Sequence, residues 1–279
     1  SIQAAMLPDG KRLHLQHGPI DLIIAADGKA AEVRRAYMAA RARFDTVLTR
    51  LAGELPLLRT QMNQQGLPVS GPVARRMAQA VQPFWREQVT PMAAVAGAVA
   101  DEMLAAMLET ADVCRAYVNN GGDIALHLAD DERFSIASAN GHVSVAAGDG
   151  VGGIATSGRH GRSHSLGIAD SVTVLARSAA QADVAATLIA NAVDLPGSAK
   201  IMRLAASELA PDSDLRDRLV TVDVLPLEEA EISDALARGL EKATSFQRRV
   251  LIIAATLGLN DKVLELQPAA SIEGAAVHA

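Results

Sequence analysis

The chain has 279 residues, a net charge of −6 and a single cysteine, Cys114. That length suffices for one large domain or two small ones with a well-buried core. Charges of both signs are mixed along it with no basic stripe among aromatics, which argues against nucleic acid as a partner, and one cysteine excludes an internal disulfide and a Cys-rich zinc site.

Aromatic residues make up only 3% of the chain, so the core must pack through close backbone contact and offers few rings for stacking a ligand. Ser1–Asp9 has neither a basic region nor a long apolar run, and nothing approaches the roughly 18 uninterrupted apolar residues of a membrane span. The expectation is a cytoplasmic chain with no membrane segment, one domain over residues 1–266, and a small, polar, flexible tail over 267–279.

Arg12–Gln16 and Ile20–Ala25 read as two strands around the His17-Gly18-Pro19 turn. Ala30–Leu51 places Val33, Tyr37, Ala40, Phe44, Val47 and Leu51 near helical spacing, predicting an amphipathic helix. Glu54–Gly71, with two prolines and two glycines, reads as a connector, and Pro72–Val81 as a short helix with Arg75 and Arg76 on its solvated face. Thr90-Pro91 then opens a helix by a capping residue and a proline. Val95, Val99, Met103 and Met107 fall four apart, alanines cover much of the rest, and Asp101-Glu102 is expected on a solvated face. Cys114 reads as a buried small apolar residue.

Ala116–Val118 runs as a strand into Asn119-Asn120-Gly121-Gly122-Asp123, and Ile124–Leu128 resumes the extended pattern. Two glycines there let the backbone approach a ligand, and Asp123 adds a carboxylate; a plain β-hairpin turn is the bland reading of the same residues. Phe134–Ala137 and His142–Ala146 follow as short strands, with a glycine-rich loop at Gly148–Gly153 that lacks the pattern of a phosphate loop. Next comes the densest polar cluster of the chain: Thr156, Ser157, Arg159, His160, Arg162, Ser163, His164 and Ser165. Arginines, imidazoles, hydroxyls and glycine-freed amides suit an anion such as a phosphate, although a surface loop has the same composition. Ser171–Ala176 is a strand and Ala179–Val193 a helix whose Asp183 and Thr187 stand four apart on one face. Two oxygens so placed can ligate Mg²⁺, while an exposed aspartate near a helix start is the ordinary alternative. Leu219–Leu225 reads as a strand, and Leu227–Lys242 and Ser245–Leu257 as helices. The alanine-rich helices and the apolar Val250–Leu257 run permit a homodimer, though that run suits a core equally.

Three blocks, in order, resemble the ApbE-like superfamily, typified by flavin transferases that use FAD and Mg²⁺ to attach FMN to a threonine or serine of a target protein. They are the Ala93–Met107 helix leading into Tyr117–Ile124; Ala155-Thr156-Ser157-Gly158 with His164 beyond it; and Ser171–Val174 followed by Asp183 and Thr187. The resemblance implies an α+β fold related to the T-fold, with helices packed on antiparallel sheet. It implies Asp183 and Thr187 as Mg²⁺ ligands with a main-chain oxygen near Ala93. It further implies that Asn120, Gly121, Gly122, Asp123, Ser157 and Gly158 line a nucleotide cleft. The chain departs from the transferases in having Ala96-Gly97 where they carry Lys-Gly. It also has a short His164–Gly167 segment where they carry an Asp-Pro-Arg-Thr-Gly-like loop. It therefore resembles a compact cytoplasmic branch whose reaction the resemblance leaves open.

Together these residues suggest a Mg²⁺-dependent enzyme acting on FAD, FMN or another phosphate-bearing nucleotide. Thr156 would join the cleft, Arg159 and Arg162 would neutralise phosphate, and His160 or His164 would serve as general acid or base. The alternatives are a non-catalytic flavin or pterin carrier and an enzyme of a pterin-type one-carbon cofactor pathway.

Overall fold

The computed structural model describes residues 2–138, 141–161 and 164–269, so Arg162, Ser163 and most of the expected tail lie outside the described residues. Strands β1 (Gln3–Met6), β2 (Leu13–His17) and β3 (Ile20–Asp27) lead into helices α1 (Ala30–Leu58) and α2 (Pro72–Val81). A 3₁₀ turn at Pro91–Ala94 enters α3 (Val95–Thr110), followed by β4 (Arg115–Asn120), β5 (Asp123–Leu128), β6 (Arg133–Ser138), β7 (Gly141–Ala146) and β8 (Gly153–Ser157). Then come β9 (Ser171–Ala176), α4 (Ala179–Ala192), β10 (Ile201–Ala205), the single turn α5 (Ala206–Leu209) and β11 (Leu219–Val224). Helix α6 (Glu229–Arg248) and strands β12 (Ala254–Leu259) and β13 (Lys262–Leu266) complete the order.

Among the described residues, β1-β2-β3-β4-β5-β8-β9-β12-β13 form one antiparallel sheet, and β6–β7 and β10–β11 are separate hairpins. This is the α+β architecture expected from the sequence. Helices cover one face: α1 lies over β2 and β3, α3 over β4 and β5, α4 over β8 and β9, and α6 over β12 and β13. Strand alternation sorts the residues, with Ala116, Val118 and Ala125 buried toward the helices. Ile124, Leu126 and Ile154 point to the other face, where Val145, Phe134 and Ile136 of the β6–β7 hairpin cover them.

Helix α3 is the centre of the molecule, touching α1, α2, α4, β4 and β5. Among the described residues, Pro91–Thr110 is the one helical stretch long and apolar enough to cross a membrane. Its apolar run is broken by Asp101 and Glu102, and here it packs as a core helix. Both acids correct the solvated-face reading. Glu102 is buried and accepts from Arg43 Nε at 2.7 Å and Arg76 Nε at 2.7 Å, tying α1, α2 and α3 together. Arg76 is thus turned inward to this acid, leaving only Arg75 to the solvated role.

Other readings also shift. Helix α1 runs through Gly53 and Pro56 to the buried Leu58, because packing of that last stretch outweighs the local breakers. Thr90 does not cap a helix with its hydroxyl; it donates to Asp214 Oδ2 at 2.6 Å. Cys114 is half-exposed, its Sγ donating to the Asp27 carbonyl at 3.1 Å. The end of the chain holds one helix and two strands in place of two helices. Strand β12 sits between β9 and β13, with Ala255, Leu257 and Leu259 buried. A short strand of this kind has the same continuous apolar run as a buried helix. Leu251 and Ile252 are likewise buried in the core.

Burial pushes the Glu102 carboxyl up, but hydrogen bonds and charge from Arg76 and Arg43 outweigh it and hold the group below 4.5. Its contribution is therefore present above pH 4.5 and lost as the pH falls through the lowered folded value. Glu102→Ala should lower unfolding free energy in urea by about 3 kcal/mol at neutral pH, with the gap narrowing in acid. A gap that stays constant with pH would contradict the assignment.

Candidate functional site

The N-terminal turns of α3 and α4 meet, and each is capped by a carboxylate from the other helix. Asp101 of α3 accepts from the amides of Ala179 and Ala180, at 2.9 and 2.8 Å, the first two residues of α4. Asp183 of α4 accepts from the amide of Gly97 at 3.0 Å and from that of Ala96, the third and second residues of α3. First-turn amides have no partner inside their own helix, so each carboxylate satisfies donors that would otherwise be orphaned. The contact requires glycine: a Cβ on Gly97 would stand 2.2 Å from the Ala179 carbonyl oxygen. Ala93 lies in the 3₁₀ turn that enters α3.

Two cavities open along this junction. One, of about 760 Å³, is lined by Arg59, Gln88, Thr90 and Ala93 and by the 213–218 segment. The other, of about 510 Å³, is lined by Ile20, by Leu48, Leu51, Leu55 and Leu58 of α1, and by Val99. They share Met92, Val95 and Ala96 with the polar Asp123, His164, Asp183, Thr187 and Asn191, and so form two chambers of one cleft joined at a largely polar waist. One chamber is largely apolar and the other carries arginines.

The expected site residues divide accordingly. Asp183 and Thr187 lie at the waist, and Ala93 lines the larger chamber beside them. Asp183 is half-buried, which sets aside the exposed-aspartate alternative. Asn120, Gly121, Asp123, Thr156, Ser157 and Gly158 line the apolar chamber. Asn120 Nδ2 donates to the Ala96 carbonyl at 3.1 Å, joining the Asn120–Asp123 turn to the start of α3. The Thr156 hydroxyl is 2.9 Å from that of Thr173. Gly122 is exposed at φ +110 and lines a separate recess with His14 and Asp21 on the sheet face away from the cleft.

Two expectations are corrected. Arg159 Nε and His160 Nε2 both reach Asp170 Oδ1, at 2.9 and 3.2 Å, and neither side chain lines the cleft. Asp170 Oδ2 also accepts from the Asn260 amide at 2.6 Å, so this polar group ties the loop to the β12–β13 turn. His164 alone of the two histidines reaches the waist. Arg162 lies outside the described residues. Asn191 went unnoticed in the sequence, yet it lines both chambers and its Oδ1 accepts from the Leu166 amide at 3.0 Å, holding the His164 segment in place. Its signal was available: it follows Thr187 by four residues, continuing one polar row on an otherwise apolar helix.

Burial drives the Asp183 carboxyl up to about 7; the nearby Asp101 charge adds to this, and the Gly97 and Ala96 amides oppose it. No basic side chain pairs with it among the described residues. The folded chain therefore keeps a proton on Asp183 between about 3.8 and about 7 that the unfolded chain releases. Stability falls as pH rises through that window. Asp183→Asn removes this titration, so in EDTA its stability relative to the native chain should grow from acid to mildly alkaline pH. Urea unfolding at several pH values checks this, and a pH-independent difference would contradict it.

Comparison with known proteins adds relatives and neighbours. A UPF0280 protein of Methanothrix thermoacetophila is 37% identical over 153 residues, 52% of this chain and 63% of that protein. Another, from Methanopyrus kandleri, is 42% identical over 130 residues, 43% of this chain and 48% of that protein. The matched region thus spans about half to just under two thirds of the length of these curated relatives. Among solved structures, a flavin transferase ApbE from Vibrio cholerae superposes with a TM-score of 0.48 and 12% identity, covering 96% of this chain and 97% of that one. The apo flavinyl transferase ApbE of Pseudomonas stutzeri gives 0.44 and 12%, over 96% and 94%. These two values are too low to carry over any residue's role. The family model described as "AbpE bacteria" matches residues 4–266, and the chain belongs to that family.

Proposed function

We propose that the cleft binds a flavin nucleotide, FAD or FMN, or another nucleotide joining a ring system to a phosphate, with Mg²⁺ held at the waist. The observation that carries this reading is the meeting of an apolar and a polar chamber at Asp183 and Thr187. A planar ring fits beside the α1 leucines, and a phosphate reaches the waist.

The donor set suits the metal. Asp183 offers a carboxylate, Thr187 a hydroxyl and Ala93 a main-chain carbonyl, all on the wall of one chamber. Three protein oxygens leave room for phosphate and water in a six-coordinate shell, the usual arrangement for Mg²⁺ on phosphate ligands. The raised carboxyl of Asp183, with no basic partner among the described residues, is a charge that such a cation would balance. When bound, Mg²⁺ would neutralise charge developing on the phosphate. The remaining work falls to the chain. Asn120, Gly121, Asp123, Ser157 and Gly158 border the ring chamber, Asn191 positions the His164 segment, and His164 is the imidazole available to hold a proton at the waist.

A second reading, a flavin or pterin carrier without turnover, is favoured by one observation. Ala96 lines both chambers at the position where the sequence resemblance would place a lysine, so that wall presents no cation of its own. Ligand retained unchanged over hours would select the carrier, and release of a modified product would select the enzyme.

A thermal-shift series with FAD, FMN, ADP and a pterin, each with Mg²⁺ or EDTA, tests the proposal. Ligand at about 100 times its Kd adds about 2.7 kcal/mol, a readily measured shift. FAD should stabilise more strongly with Mg²⁺, and Asp183→Ala should lose that increment while keeping its far-ultraviolet circular dichroism. Equal stabilisation in EDTA, or an unchanged increment in Asp183→Ala, would overturn the metal assignment.

A further inference from the structure

Residues 213–218, which lie between α5 and β11, line the larger chamber as a strap. This strap is tied down at two points: Thr90 Oγ1 donates to Asp214 Oδ2 at 2.6 Å, and Arg218 Nη1 donates to the Gln88 carbonyl at 3.1 Å. Beyond it, in β11, the Thr221 amide donates to the Ser165 carbonyl at 2.9 Å. Arg216 and Arg218 of the strap and Arg59, which caps the end of α1, all line the chamber.

We infer that Arg59, Arg216 and Arg218 form a second anion-binding subsite, for a phosphate or carboxylate that the ligand carries in addition to the group at Asp183 and Thr187. Three observations support it. Three arginines from two distant parts of the chain line one cavity, beside Asp214 and Asp217, and none of the three forms an ion pair among the described residues. The two acids of the strap are engaged by hydroxyls instead: Asp214 by Thr90, and Asp217 Oδ1 by Ser207 Oγ at 2.8 Å. The backbone beneath is held in an unusual form. Arg216 has φ +52 and Gln88, whose carbonyl receives Arg218, has φ +54, a left-handed conformation that non-glycine residues rarely adopt and that recurs at ligand clamps. The Ser207 amide fixes Arg216 there through its carbonyl at 2.7 Å. Arginine is the side chain suited to this task, since its planar fork matches the oxygens of phosphate and carboxylate.

The inference rests on the cleft being a ligand site but not on its metal, and the test separates the two. Isothermal titration with tripolyphosphate and with citrate, both in EDTA, is applied to the native chain, to the Arg59→Gln/Arg216→Gln double variant and to Asp183→Asn. Arg59 and Arg216 make no side-chain hydrogen bond among the described residues, so the double variant should fold normally. Binding to the native chain, weakened at least about tenfold in the double variant and unchanged in Asp183→Asn, supports the subsite; the tighter of the two probes identifies the anion. No binding of either probe to the native chain, equal binding to the double variant, or loss in Asp183→Asn alone would overturn it. The Mg²⁺ increment for FAD can fail independently of each of these results.

Discussion

The reciprocal capping of α3 and α4 is the interaction on which the rest of the structure depends. Each helix start brings unpaired amides to the junction, and each supplies the carboxylate that satisfies the other. The two starts approach closely because Gly97 has no side chain to hold Ala179 away. Both helices lie on the same face of the sheet, α3 over β4 and β5 and α4 over β8 and β9, so their junction also fixes where those strands end. Asn120, Gly121, Asp123 and Thr156–Gly158 border the cleft beside this junction, and Asn120 Nδ2 bonds the Ala96 carbonyl at the start of α3.

That arrangement has a functional cost and use. Asp183 is placed where burial disfavours its charge, and among the described residues no basic side chain pairs with it. A carboxylate kept in that condition at the mouth of two chambers is suited to a divalent ion arriving with a phosphate ligand. The amides of Ala96 and Gly97 hold the carboxylate in place while leaving Thr187, one turn along α4, on the same wall. In the proposed function, chamber character would sort the two ends of an amphiphilic ligand, the ring to the leucines of α1 and the charged end toward the arginines.

Much of this was legible in the sequence because it is local. The strand–turn–strand around Asn120–Asp123, strand Ser171–Ala176 and the Asp183–Thr187 spacing each follow from periodicity within a dozen residues, and the structure places all of them at or beside the cleft. What escaped was nonlocal. Asp101 and Glu102 look like a solvated pair until α4 and two arginines from α1 and α2 are packed around them. Arg159 and His160 sit in the right loop, but Asp170 turns both away from the cleft. Arg59 and the 213–218 strap are more than 150 residues apart, so nothing in either stretch announces the other. Strand β12 was misread because an apolar run at the centre of a sheet has no polar face to reveal its period.

We propose that a divalent ion and a phosphate-bearing ring ligand meet at Asp183, which diffraction from crystals grown with Mn²⁺ and FAD, recorded near the manganese edge, would test. An anomalous peak is expected between the Asp183 carboxylate, the Thr187 hydroxyl and the Ala93 carbonyl, with phosphate density against it and the ring beside Leu51 and Leu55. Ligand density in the cleft with no metal at Asp183, or a metal peak elsewhere on the chain, would contradict it.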